Sequence, residues 1–176
     1  MGHCFGRRLP ERTELHGSCR QGPGSTSNSQ KLHTFLTASG EYSLEAWVAP
    51  GNITQEDARI VTYSGSASTR NLTLSQSLQR YEVLHRSTTS DENTPFGTQD
   101  ADMLLQATLQ HVVVNYSPGT GRQIFINGEP SGDVDPDSAG LLSEWDDSFA
   151  WCWATKPMAT PPGKAPFAWW RSITGR

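Results

Sequence analysis

Lysine is scarce in this 176-residue chain, at three residues against eleven arginines. Charged residues make up only 18%, below the ~25% of a typical globular domain. A highly charged disordered chain and a coiled coil are thereby excluded. No segment approaches the ~18 consecutive apolar residues of a membrane helix, so no membrane insertion is expected. Cysteine is also sparse. Cys4, Cys19 and Cys152 are an odd number, none falls between 20 and 151, and no Cys-x-x-Cys occurs. Neither a disulfide framework nor a zinc ribbon is expected from them. Met1–Leu15 contains arginines but no apolar core behind them, so it does not read as a secretory signal.

What the chain does have is hydroxyl chemistry, with 19 Ser and 17 Thr. That composition favours strands and turns over helices. The length suits one domain. Charge is unevenly spread: residues 41–150 carry 16 acids and 5 bases, while the two ends carry 2 acids and 9 bases. An acidic central segment argues against nucleic acid as a partner, and the basic ends lack the dense runs of a nucleic-acid arm.

Residues 1–30 are rich in Gly, Ser, Arg and Pro without a period, and are expected to be unstructured. Leu32, Phe35 and Leu36 suggest a short helical turn or irregular strand. Tyr42, Leu44, Ala46 and Val48 alternate with Ser43, Glu45 and Trp47, the pattern of a strand with one buried face. Further strands are expected near Arg59–Ser64, around Leu72 and Leu74, and at Tyr81–His85, with Tyr81, Val83 and His85 on one face. Gln99–Thr108 reads as a loop with one helical turn. Leu109–Tyr116 is nearly continuous valine and predicts a central strand buried on both faces. Ser117–Gly121 is turn chemistry, Gln123–Asn127 reads as the partner strand, and Asn127-Gly128 is a tight-turn dipeptide. Short strands at this spacing predict an all-β sandwich or barrel.

These residues resemble a known family. Ser39-Gly40-Glu41-Tyr42-Ser43-Leu44-Glu45-Ala46-Trp47-Val48 is similar to its opening strand. His111-Val112-Val113-Val114-Asn115-Tyr116, Gly121 and Ile124-Phe125-Ile126-Asn127-Gly128 are similar to its central hairpin. Ala58-Arg59-Ile60-Val61 and Arg70-Asn71-Leu72-Thr73-Leu74 fit the strands between. The family is the laminin-G-like jelly-roll domains of the concanavalin A-like lectin/glucanase superfamily, matched over roughly residues 30–150. The resemblance implies an all-β, two-sheet antiparallel jelly-roll sandwich. It implies a non-catalytic carbohydrate- or protein-binding or adhesion module, commonly part of a larger extracytoplasmic, secreted bacterial protein. A glucanase-type hydrolase on the same fold is the alternative.

Residues 151–176 depart from that pattern, holding four of the six Trp and four of the eleven Pro. Trp151-Cys152-Trp153-Ala154-Thr155-Lys156 can be encoded TGG-TGC-TGG-GCA-ACG-AA. One C restored in front makes the same bases read CTG-GTG-CTG-GGC-AAC-GAA, or Leu-Val-Leu-Gly-Asn-Glu, which resembles the family's penultimate strand. Trp169-Trp170-Arg171 likewise becomes an aliphatic residue followed by Val-Ala. Residues 151–176 are therefore expected to be an out-of-frame tail beginning near Ala150–Trp151. The sandwich of residues 31–150 is then incomplete at its C-terminal end, and a non-functional frameshifted product is a further alternative to the binding module. Met1–Arg20 invites a similar reading, since Gly6-Arg7-Arg8 permits Gly-Gly-Gly in another frame.

Asp133-Val134-Asp135-Pro136-Asp137 places carboxylates on alternate residues of a loop. Calcium takes clustered hard oxygens from flexible loops, and laminin-G-like relatives hold calcium at a sandwich rim, so Asp133, Asp135 and Asp137 are the candidate ligands. The competing reading is a solvated acidic turn, and Asp146 and Asp147 are weaker candidates. Trp47 is the candidate ligand-binding aromatic, able to stack on a sugar ring if its face is open; packing beneath a loop competes. Glu41 and Glu45 share a strand face but lie roughly 13 Å apart at ~3.3 Å per residue, beyond the ~5–9.5 Å of a glycosidase pair. No catalytic residue is therefore assigned. His111 reads as structural, and the sequons at Asn52, Asn71 and Asn115 read as chance. The expected partner is a glycan or protein ligand.

Overall fold

The computed structural model describes residues 18–21 and 26–155. In chain order these form β1 (Ser18–Gln21), α1 (Thr26–Ser39), β2 (Tyr42–Val48), β3 (Ala58–Ser64), β4 (Arg70–Ser77), β5 (Arg80–His85) and β6 (Pro95–Gly97). A 3-10 turn at Asp100–Asp102 precedes β7 (Gln110–Ser117), β8 (Gly121–Ile126), β9 (Glu129–Pro130) and β10 (Ala150–Thr155). Every strand pair is antiparallel. One sheet runs β1-β10-β3-β4-β5-β6 and the other β2-β7-β8-β9. The two sheets face each other as a jelly-roll sandwich.

Alternation builds the core. In β2, Tyr42, Leu44 and Ala46 are buried while Ser43, Glu45 and Trp47 point the other way, as a two-residue period requires. β7 supplies Val112, Val114 and Tyr116, and β8 supplies Ile124 and Ile126. From the facing sheet come Val61, Tyr63, Leu72, Leu74, Tyr81 and Val83. Each buried aliphatic side chain contributes about 1.5–3 kcal/mol relative to exposure. The turn after β8 has Asn127 at φ 54° and Gly128 at φ 91°, the paired left-handed residues of a tight hairpin turn.

Three expectations need correction. The segment 1–30 is not wholly without structure: β1 pairs with β10, and α1 begins at Thr26. Leu32 and Leu36, four apart on one helical face, pack on the core and anchor that helix, while Phe35 is 73% exposed. The break expected between Ala150 and Trp151 is not a structural one. β10 crosses it and pairs with β3, with Trp151 opposite Tyr63, because an Ala-Trp-Cys-Trp-Ala-Thr run suits a pleated surface whatever its coding history. The rest of the expected out-of-frame tail, residues 156–176, lies outside the described residues. Finally, β7 is buried on one face only, since among the described residues nothing covers its second face. β6 and β9 are short strands that the sequence did not signal.

Candidate functional site

The uncovered face of the four-stranded sheet carries an ordered polar array. Register sets its rows: Trp47 beside His111; Glu45 beside Val113, then Phe125 and Pro130; Ser43 beside Asn115, then Gln123. Trp47 is 40% exposed and lies against His111, ring centroids 4.7 Å apart at 28°. His111 Nε2–H donates to Glu45 Oε1 at 2.8 Å, and its backbone N–H donates to Asn127 Oδ1 at 2.9 Å. The indole is thus held flat by a ring that is itself fixed at both ends.

At the other end of this face, Glu41, Ser43, Asn115, Ser117, Thr120 and Gln123 line a groove of about 450 Å³. Ser43 Oγ donates to Asn115 Oδ1 at 2.7 Å, which leaves the Asn115 amide N–H groups for a ligand. Ser117 and Thr120 hydroxyls share a 2.8 Å hydrogen bond in the β7–β8 turn. Gln123 is exposed. Sequence reasoning missed this array because it took the valine run as doubly buried; the alternation of His111, Val113, Asn115 and Ser117 was the available signal.

Trp47 therefore falls on an open face, beside His111. The three aspartates do not assemble. Among the described residues, no three His, Cys, Asp or Glu side chains converge as metal ligands. Asp135 gives Oδ1 to Arg122 Nη2 at 2.8 Å, and Oδ2 to Arg122 Nε at 2.8 Å and Arg122 N at 2.6 Å. Asp137 Oδ2 accepts from Arg122 Nη2 at 3.3 Å, and Asp133 Oδ1 accepts from Gln99 at 3.4 Å. A calcium ion would have to displace a buried guanidinium, so the donor set does not fit one. Burial alone would raise the Asp135 carboxyl, but hydrogen bonds from the Arg122 side chain and backbone and from the Asp137 backbone hold it below the usual range.

Behind the open face, the sandwich interior is unusually polar at one point. Tyr42 Oη and His85 Nδ1 share a 3.0 Å hydrogen bond, and His85 packs against Tyr42, Tyr116 and Trp145. Burial pushes His85 down to about 3, with the Arg122 charge adding to the effect and Asp135 opposing it. The ring is neutral at ordinary pH. It is a core group, not a base facing solvent.

Two antiparallel sheets in this order, with one sheet face left open, define a lectin-type jelly-roll sandwich. The chain belongs to the Concanavalin A-like lectin/glucanases superfamily, whose laminin G-type profile matches residues 24–162. That match passes the break expected at residue 150. No curated protein matches the chain. Among solved structures, a point mutant of HCR D/C superposes with a TM-score of 0.52 at 11% identity, covering 89% of this chain and 41% of that one. The binding domain of botulinum neurotoxin DC, solved with rat synaptotagmin II, gives 0.48 at 11%, covering 70% and 30%. A botulinum neurotoxin type C structure, described as dependent on two ganglioside molecules for cell entry, gives 0.47 at 12%, covering 77% and 32%. The chain spans 29% of the length of the first two such structures, and the likeness is one of fold.

Proposed function

We propose that this domain is a non-catalytic saccharide-binding module acting outside the cytoplasm, with the open face of the four-stranded sheet as its contact surface. The observation that carries the reading is Trp47, a half-exposed indole stacked on His111, on the same sheet face as a groove of hydroxyls and amides. Sugars present apolar C–H faces and equatorial hydroxyls. They are recognised by an aromatic platform together with planar hydrogen-bonding side chains, a combination of apolar body and fixed polar groups general to small-ligand sites. Ser43 to Trp47 spans about 13 Å along β2, the reach of a short oligosaccharide. The face offers one carboxylate–imidazole pair, Glu45–His111, and that pair is engaged with itself. Nothing in the array places an acid and a base on either side of one glycosidic bond.

The test is a glycan-array screen followed by titration calorimetry on the best ligand. Trp47→Ala and Gln123→Ala are each expected to weaken binding tenfold or more, while thermal stability stays within a few degrees. Undiminished affinity in both variants would reject this face as the contact surface.

A further inference from the structure

Building on that saccharide reading, we infer that the groove selects an amine-bearing saccharide, a free hexosamine oligomer, over acetylated or acidic sugars. The Glu41 carboxylate lines the groove, and among the described residues no hydrogen bond or ion pair engages it. The groove lining contains no Lys, Arg or His. Every other side chain in the lining is neutral, so Glu41 is the one charge within the groove. Its surroundings reinforce the sign. Ala139 N–H donates to Pro118 O at 2.8 Å, which ties the loop carrying Asp133, Asp135 and Asp137 to the β7–β8 turn that closes the groove. Arg122, on β8, pairs with Asp135 and Asp137 of that loop; its side chain is 1% exposed and faces the core, away from the groove. A cationic ligand therefore finds its counter-charge in Glu41, and an anionic one meets like charge there.

The chemistry of the rest of the groove suits the same ligand. The Asn115 amide N–H groups, the Gln123 amide and the Thr120 hydroxyl bond ring hydroxyls. A hexosamine ammonium has three donors and no acceptor, which matches a carboxylate without a partner. An N-acetyl group removes the charge and adds bulk at that contact.

The test uses the full chain with three tetrasaccharides: glucosamine, N-acetylglucosamine and galacturonate. The glucosamine tetramer is expected to bind at least tenfold more tightly than the acetylated one, with affinity falling as salt rises, and the galacturonate tetramer not to bind. Glu41→Gln is expected to erase both the preference for the amine and its salt dependence. Equal binding of the two hexosamine tetramers, with both lost in Trp47→Ala, would overturn the charge inference and leave the saccharide reading standing. Preference for galacturonate would overturn it too. Failure of all three tetramers, together with an unresponsive glycan array, would overturn both readings.

Discussion

Removing the Asp135 carboxylate tests the ion pair that replaces the expected calcium site. The Arg122 and Asp135 side chains are 1% and 0% exposed. All five guanidinium N–H groups have partners: two go to Asp135, one to Asp137, and two to the Val83 and Thr94 carbonyls at 3.2 and 3.3 Å. The guanidinium also lies 5.3 Å from the Phe96 ring centroid. Gly121, at φ +70°, permits the approach, since a Cβ there would sit 2.8 Å from Asp135 Cβ. Asp135→Ala strips two of these bonds, together with the one from the Arg122 backbone N–H, and leaves a buried cation without its main counter-ion, at a cost of about 3–5 kcal/mol. A domain's whole margin is about 5–15 kcal/mol. The double variant Arg122→Met/Asp135→Leu removes both charges and is expected to be near neutral, or stabilised by up to ~4 kcal/mol, because neither ion then needs dehydrating. Urea unfolding of wild type, both single variants and the double variant gives the coupling energy directly. Millimolar calcium is expected to leave the wild-type melting temperature unmoved, since Asp135 is already taken. Asp135→Ala within ~1 kcal/mol of wild type, or a calcium-dependent rise in melting temperature that this variant abolishes, would refute the reasoning.

Acid destabilisation is expected from His85: a ring at about 3 when folded and ~6.5 when unfolded binds its proton preferentially in the unfolded chain. Its stabilising effect is complete above ~6.5 and declines by about 1.4 kcal/mol per pH unit as pH falls towards 3, so urea midpoints at pH 7.5, 5.5 and 4.5 are expected to fall in that order, with the slope relieved in His85→Gln. No hydrolysis of β-glucans is expected, measured as reducing ends released over a day; turnover that vanishes in Glu45→Gln would contradict the non-catalytic assignment. Inserting one base before the Trp151 codon is expected to raise the melting temperature, each added ladder hydrogen bond contributing about 0.5–1.5 kcal/mol; equal melting temperatures would show that the reading frame has no structural consequence.

How far the sequence could be read depended on what kind of information each element carries. β2 was legible because Tyr42, Leu44 and Ala46 meet the core on a strict period of two, and the β8 turn because Asn127-Gly128 has few other uses. Tyr81, Val83 and His85 were correctly placed on one face, but the pattern could not say that the face meets Tyr42 and Tyr116. The β7 valines misled because Val113 has the same composition as Val112 and Val114 while facing the opposite way. Only its partners in register, Glu45 and Phe125, decide its environment. Arg122 and Asp135 are 13 residues apart, and a counter-ion at such a separation leaves no periodic trace. Read alone, the three alternate aspartates looked like ligands; in the fold one of them neutralises a core arginine.

The residues beyond the expected frame break pose the sharpest case. Trp151 stacks on Tyr63 with ring centroids 4.7 Å apart and planes within 6°, and it is 7% exposed. Backbone pairing alone would therefore not reveal anything foreign about this strand. Trp151 Nε1 is buried and, among the described residues, has no hydrogen-bond partner, and an unsatisfied buried donor costs about 1–3 kcal/mol. A leucine at that position, as the one-base-restored reading supplies, fills an apolar site and brings no N–H to satisfy. Strand formation depends on β-propensity and ladder partners, which both readings provide. Polar satisfaction depends on the chemistry of each side chain, and there the two readings differ. The same distinction applies to β2, which among the described residues has β7 as its one strand neighbour. Its open edge is a requirement for a pairing partner rather than for a particular side-chain sequence, so the pattern of β2 could predict the strand but not what lies beside it.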